Sequence, residues 1–144
     1  MCYRGVAEVM IANNDKHLAR SRNRKKVSIL VVDDEPSVGD ALKLVLESSG
    51  YEVVLVAKGR EGIKQASSRG FSVVIIDLFL PDISGLQIIK KVHEQKPEIP
   101  IILITGQGTP WAFAEAKRLG AIGILSKPFH PADILRLISR AVAQ

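Results

Sequence analysis

Val27-Ser28-Ile29-Leu30-Val31-Val32-Asp33-Asp34 is the stretch on which the reading of the fold turns. Its apolar run is rich in β-branched residues, which suit a strand, and it barely alternates with polar positions. An uninterrupted apolar run of this length fits an inner strand of a parallel sheet, covered on both faces. It ends abruptly in two carboxylates. In open α/β sheets ligands gather at the carboxyl ends of the strands, so Asp33 and Asp34 are candidates for chemistry.

Outward from this stretch, strand-like runs and helix-like segments alternate. Ser37 to Ser49 carries Val38, Ala41, Leu42, Val45 and Leu46 at helical spacing, with Gly50 as a stop. Tyr51 to Ala57 reads as a second strand and Glu61 to Ser68 as a short helix ahead of Gly70. Phe71 to Asp77 is the third strand, and Gly85 to Gln95 a helix with Leu86, Ile89 and Val92 on its apolar stripe. Ile99 to Thr105, Trp111 to Leu119, Ile122 to Ser126 and Pro131 to Val142 complete five βα units, Pro131 suiting a first helical turn. Short connections between alternating strands and helices imply an α/β, doubly wound parallel sheet with right-handed crossovers.

The chain has 144 residues, 47% of them hydrophobic, enough for one domain with a sizeable core. No uninterrupted apolar stretch is long enough to span a membrane, and no secretory leader pattern opens the chain. The lone Cys2 cannot form an internal disulfide, which points to a reducing, cytoplasmic setting. The net charge of +5 lies wholly in residues 1–26, which hold seven Lys/Arg against Glu8 and Asp15. That segment is expected to be a basic, disordered extension ahead of a domain at 27–144, with Met10 as an alternative start. The remainder is electrically balanced, so the high pI does not argue for nucleic-acid binding by the domain. The sequence stops as its fifth helix ends, and no output or DNA-binding domain is expected.

Four strand ends deliver reactive groups: Asp33 and Asp34, Asp77, Thr105 and Lys127. Carboxylates brought together repel one another unless a cation intervenes. A donor set of oxygens, without Cys or suitably spaced His, suits a hard divalent ion, most simply Mg2+. A hydroxyl and an ammonium facing that cluster suit the oxygens of a phosphoryl group in transfer to a carboxylate.

The segments Val31-Val32-Asp33-Asp34-Glu35-Pro36, Asp77-Leu78-Phe79-Leu80-Pro81-Asp82-Ile83-Ser84-Gly85, Ile104-Thr105-Gly106 and Ser126-Lys127-Pro128-Phe129, in this order, closely resemble the CheY-like receiver domain of two-component response regulators. The resemblance covers residues 26–144. It implies the flavodoxin-like strand order 2-1-3-4-5 and a phosphorylation switch without catalytic turnover of its own. Asp77 would accept a phosphoryl group from a sensor histidine kinase or a phosphotransfer protein. Asp34 would bind Mg2+ directly and Asp33 through water, with Asp77 and the Phe79 backbone carbonyl completing the ligands. Lys127 and Thr105 would contact the phosphoryl group, and the Lys127–Pro128 peptide would be cis. The message would pass by protein contact through the fourth helix, fifth strand and last helix, or through a phosphorylation-dependent dimer.

Two positions depart from the family pattern. Where most members carry a Tyr or Phe that swings inward on activation, this chain has Ile124, which leaves the coupling without its aromatic half. That change also motivates a docking protein that works without phosphorylation. Phe79, two residues after Asp77, would border the path of hydrolytic water and should prolong the phosphorylated state. It also argues against a haloacid dehalogenase-like phosphatase, which needs a second Asp there. Trp111 is expected to pack partly against its own loop, with an exposed partner anchor as the alternative. His17, His93 and His130 carry no metal-site spacing.

Overall fold

A computed structural model describes residues 26–143 of the chain. The expected basic extension therefore lies, but for Lys26, outside the described residues, as do Cys2, Met10 and His17. The elements run β1 (Ser28–Val32), α1 (Pro36–Ser48), β2 (Glu52–Val56), α2 (Gly59–Ser68), β3 (Val73–Asp77), α3 (Gly85–Gln95), β4 (Ile101–Thr105), α4 (Pro110–Leu119), β5 (Gly123–Ser126) and α5 (Pro131–Val142). All strand pairings are parallel and the order is β2-β1-β3-β4-β5, the doubly wound α/β arrangement expected.

The three inner strands are buried at every position, which accounts for their unbroken apolar sequence. Because side chains alternate along a strand, each inner strand feeds two cores. Leu30, Val32, Val74, Ile76 and Leu103 meet Ile88, Ile89 and Val92 of α3 and Ala112 and Ala116 of α4 on one face. Ile29, Val31, Ile75, Ile102 and Ile104 meet Leu42 and Leu46 of α1 and Ile134 and Ile138 of α5 on the other. Buried at 0% exposure, Ile88 belongs to the α3 stripe, while the expected Leu86 is only half-buried. Burying side chains of this size stabilises by about 1.5–3 kcal/mol each, so these two layers hold the strand ends in register.

Element ends shift by one or two residues, and two of the shifts have identifiable causes. Helix α2 begins at Gly59, two residues before the sequence signal, because Asp82 caps it from a different loop: Gly59 N–H and Arg60 N–H donate to its carboxylate at 2.8 and 2.9 Å. Helix α4 begins at Pro110, its first turn capped by Thr109, whose Oγ1 accepts from Ala112 N–H at 3.1 Å. Helix α3 starts on a Ser84–Gln87 capping box, and α5 is capped by His130, whose Nδ1 accepts from Ala132 N–H. Among the described residues, no helix is long and apolar enough to cross a membrane.

Candidate functional site

Parallel register brings the ends of β1, β3, β4 and β5 to one edge of the sheet. The β1 ladder continues one residue past the strand, with Asp33 N–H donating to Val56 O at 3.0 Å. Beyond β3, Leu78 N–H donates to Ile104 O, which seats Asp77 beside the end of β4. Lys127 N–H donates to Thr105 O at 2.7 Å, holding the residue after β5 against the end of β4. Asp33, Asp77 and Thr105 are thus buried polar residues at the top of an otherwise apolar sheet.

Lys127 organises this edge. Its Nζ lies 3.0 Å from Asp77 Oδ2, 3.1 Å from Asp33 Oδ2 and 3.2 Å from Glu35 Oε1. The Asp33 and Asp77 side chains are almost wholly buried, whereas that of Glu35 is 56% exposed. The contact to Asp33 Oδ2 is an ion pair without hydrogen-bond alignment, so this buried oxygen has no hydrogen-bond donor. Its partner oxygen Oδ1 accepts from Glu35 N–H at 2.9 Å. The Lys127–Pro128 peptide is cis.

Burial is the strongest influence on Asp77 and pushes its carboxyl pKa up; Asp33 adds to the push, and Lys127 and the Phe79 backbone N–H offset only part of it. Burial also acts most strongly on Lys127, downward, but Asp77 and Asp33 together outweigh it and hold the ammonium above the ordinary lysine range. An isolated ion pair would move its two members in opposite directions. Here both move up, Asp77 chiefly because burial disfavours its charge and Lys127 because two carboxylates outweigh its own burial.

Donor atoms of Asp33, Glu35 and Asp77 all lie within 4.8 Å of one another. Together with the undonated Asp33 Oδ2, this all-oxygen set fits a hard divalent cation. Asp34 is exposed and is not among these three, which include Glu35, a residue absent from the expected site. The chain bends at Asp34, and the turn is closed by Glu35 N–H donating to Asp33 Oδ1.

Thr105 Oγ1 accepts from Gln107 N–H at 3.2 Å, which fixes the first turn of the β4–α4 loop. Ile124, paired with Leu103 across β4 and β5, is half-buried against the α3–α4 core. Phe79 is 56% exposed beside the acceptor strand, and Trp111, 68% exposed at the start of α4, does not pack away against its loop. His93 is exposed in α3. Between α1 and α5 a cleft of about 530 Å³ runs from Glu35 and Lys127 along Val38, Val45, Phe129 and Ile134.

The family model of the response regulator receiver domain matches residues 29–139. The chain belongs to that family. The uncharacterized transcriptional regulatory protein YkoG of Bacillus subtilis is 32% identical over 120 residues, which make up 83% of this chain and 53% of YkoG. A CheY-like receiver domain protein from Methanospirillum hungatei superposes with a TM-score of 0.81 at 30% identity, over 83% of this chain and 95% of that one. The receiver domain of the sensor histidine kinase PA1611 from Pseudomonas aeruginosa, solved with a magnesium ion in its active-site cleft, superposes at 0.77 with 26% identity, over 83% and 100% of the two chains. This receiver chain spans 53%, 44% and 58% of three of the curated regulators it matches.

Proposed function

We propose that Asp77 accepts a phosphoryl group from a histidine kinase or phosphotransfer protein, and that the receiver then signals by protein contact. The observation that carries this reading is the Lys127 ammonium held 3.0 Å from a buried Asp77 and 3.1 Å from a buried Asp33. A carboxylate oxygen of Asp77 attacks phosphorus, the O–P bond forms, and the bond to the donor's imidazole nitrogen or acyl oxygen breaks, its electrons leaving with the donor. Lys127 shifts from the carboxylate to a phosphoryl oxygen, and the Thr105 hydroxyl donates to another by turning away from Gln107 N–H. Asp33, Asp77, the Phe79 carbonyl and, from the exposed side, Asp34 are the residues that would hold Mg2+. Its charge would offset that of the carboxylates and the incoming group. The chain promotes its own phosphorylation and dephosphorylation and is not an enzyme acting on a separate substrate.

The apolar cleft between α1 and α5 opens at Lys127, which supports docking of the donor's helix beside the acceptor. On the output side, exposed Trp111 supports protein contact or dimerisation through α4, β5 and α5. Incubation with acetyl phosphate and Mg2+, followed by intact-mass measurement, tests the acceptor. A phosphoryl increment is expected in the wild type and not in Asp77→Ala. No increment in the wild type would favour phosphorylation-independent docking, the reading that the aliphatic Ile124 in the core also supports.

A further inference from the structure

We propose that Asp82 is a positioning residue for phosphoryl transfer: it clamps the loop between β3 and α3 to the first turn of α2 and so holds the Phe79 backbone against the acceptor, Asp77. This rests on the reading of Asp77 as the acceptor.

The loop is closed at its base and held at its far side. At the base, Gly85 N–H donates to Leu78 O at 2.8 Å, and Leu78 N–H is fixed on Ile104 O of β4. Among the described residues, Phe79, Leu80 and Pro81 make no backbone–backbone hydrogen bond. Leu80 and Ile83 lean on the apolar core, contacts that favour burial but have no preferred direction. Direction comes from Asp82. Its Oδ1 accepts from Gly59 N–H at 2.8 Å and its Oδ2 from Arg60 N–H at 2.9 Å, so each carboxylate oxygen has its own donor, 23 and 22 residues away.

The helix to which the loop is tied is itself fixed. A Cβ on Gly62 of α2 would lie 2.7 Å from Val32 Cγ2, so this helix sits directly on the end of β1. A Cβ on Gly59 would lie 2.5 Å from Ile83 Cγ1, so the loop seats equally closely on the start of α2. Lys58, the N-cap residue, makes no side-chain cap, although its backbone is extended at φ −117° and ψ 143° and a Ser there could cap locally. What the distant carboxylate adds over a local cap is the tie between loop and helix. Asp82 is exposed, so water can satisfy the two amides in its absence, but water does not hold the loop. The Phe79 N–H acts on the Asp77 carboxylate, and misplacing reacting groups by about 1 Å can cost roughly 100-fold in rate.

The test follows the full chain with acetyl phosphate and Mg2+, reading the gain of the phosphoryl mass increment with time and hydrogen exchange at Gly59 and Arg60. Asp82→Ala should gain the increment about tenfold more slowly than the wild type, and Asp82→Asn, which keeps an oxygen for one amide, should recover part of the loss. Lys58→Ser alone should stay within about twofold of the wild type, since Lys58 is exposed and caps nothing. The double variant Lys58→Ser/Asp82→Ala separates position from stability: its α2 amides should regain slow exchange while phosphorylation stays about tenfold slow. A wild-type rate in Asp82→Ala overturns the inference. So does recovery of the rate in the double variant, which would show that Asp82 acts only through the stability of α2. Both outcomes leave Asp77 as the acceptor. A wild type that gains no increment overturns the acceptor reading itself, and this inference with it.

Discussion

Replacing Lys127 with methionine isolates the electrostatics of the acceptor edge, because the aliphatic stem is kept and only the ammonium is lost. Three carboxylates lie within 3.2 Å of Nζ, but they do not count equally. Glu35 is more than half exposed, so solvent screens it and its loss of a partner costs little. Asp33 and Asp77, with side chains 0% and 4% exposed, are left facing each other without a counter-charge. Removing one partner from a buried pair costs about 3–5 kcal/mol, and the lower end applies because Asp77 can relieve the repulsion by taking a proton.

That escape gives the experiment its sign. The Asp77 carboxyl is already raised by burial and by Asp33, and losing Lys127 raises it further. A folded-state carboxyl above its unfolded value near 4 destabilises at high pH, and the penalty fades as pH falls through the folded value. Lys127 is raised too, so its own contribution is whole below an unfolded value of about 10.4 and flat across the range of interest. Urea unfolding followed by circular dichroism should show a deficit of about 3 kcal/mol near pH 7.5 that narrows by about half near pH 5. In thermal melts this corresponds to a fall in Tm of roughly 10 °C for a domain of this size. A variant within about 0.5 kcal/mol of the wild type near pH 7.5 would refute the shared-ammonium account, as would an equal deficit at both pH values.

Other outcomes follow from single contacts. Gly85→Ala would put a methyl 2.4 Å from Asp77 O and 2.8 Å from Leu78 Cα, backbone atoms of the acceptor strand. It should cost about 1–3 kcal/mol by urea unfolding and slow phosphorylation by acetyl phosphate; wild-type values of both would show that α3 can back away. Asp82→Ala removes the cap of α2, and faster hydrogen exchange at Gly59 and Arg60 should reveal it. The Arg60 and Gly59 amides hold the Asp82 carboxyl below its usual range, so in the wild type this stabilisation is present above about pH 4 and lost as pH falls through the lowered folded value. Phe79→Asn should shorten the life of the phosphorylated chain, measured as loss of the phosphoryl mass increment with time; an unchanged or longer life would contradict the shielding role. Trp111→Ala should leave stability within about 0.5 kcal/mol of the wild type, since the ring is 68% exposed.

The sequence by itself determined the layered fold and the residues delivered to its edge. Apolar runs such as Ile29 to Val32 and Val73 to Ile76, separated by helical periods and short connections, leave little choice but a parallel sheet, and its strand ends carry Asp33, Asp77, Thr105 and Lys127. Each of those signals lies within one window of neighbouring residues. What only the tertiary structure decided is which side chains meet. That Glu35 rather than Asp34 shares Lys127 with the buried carboxylates depends on the sheet bringing a residue 92 positions away to the end of β1. That Asp82 starts α2 depends on two loops 23 residues apart lying side by side. Local propensity is summed along the chain and can be read there. Contacts between distant residues follow from the register of the sheet and the packing of helices on its faces, which no single segment encodes.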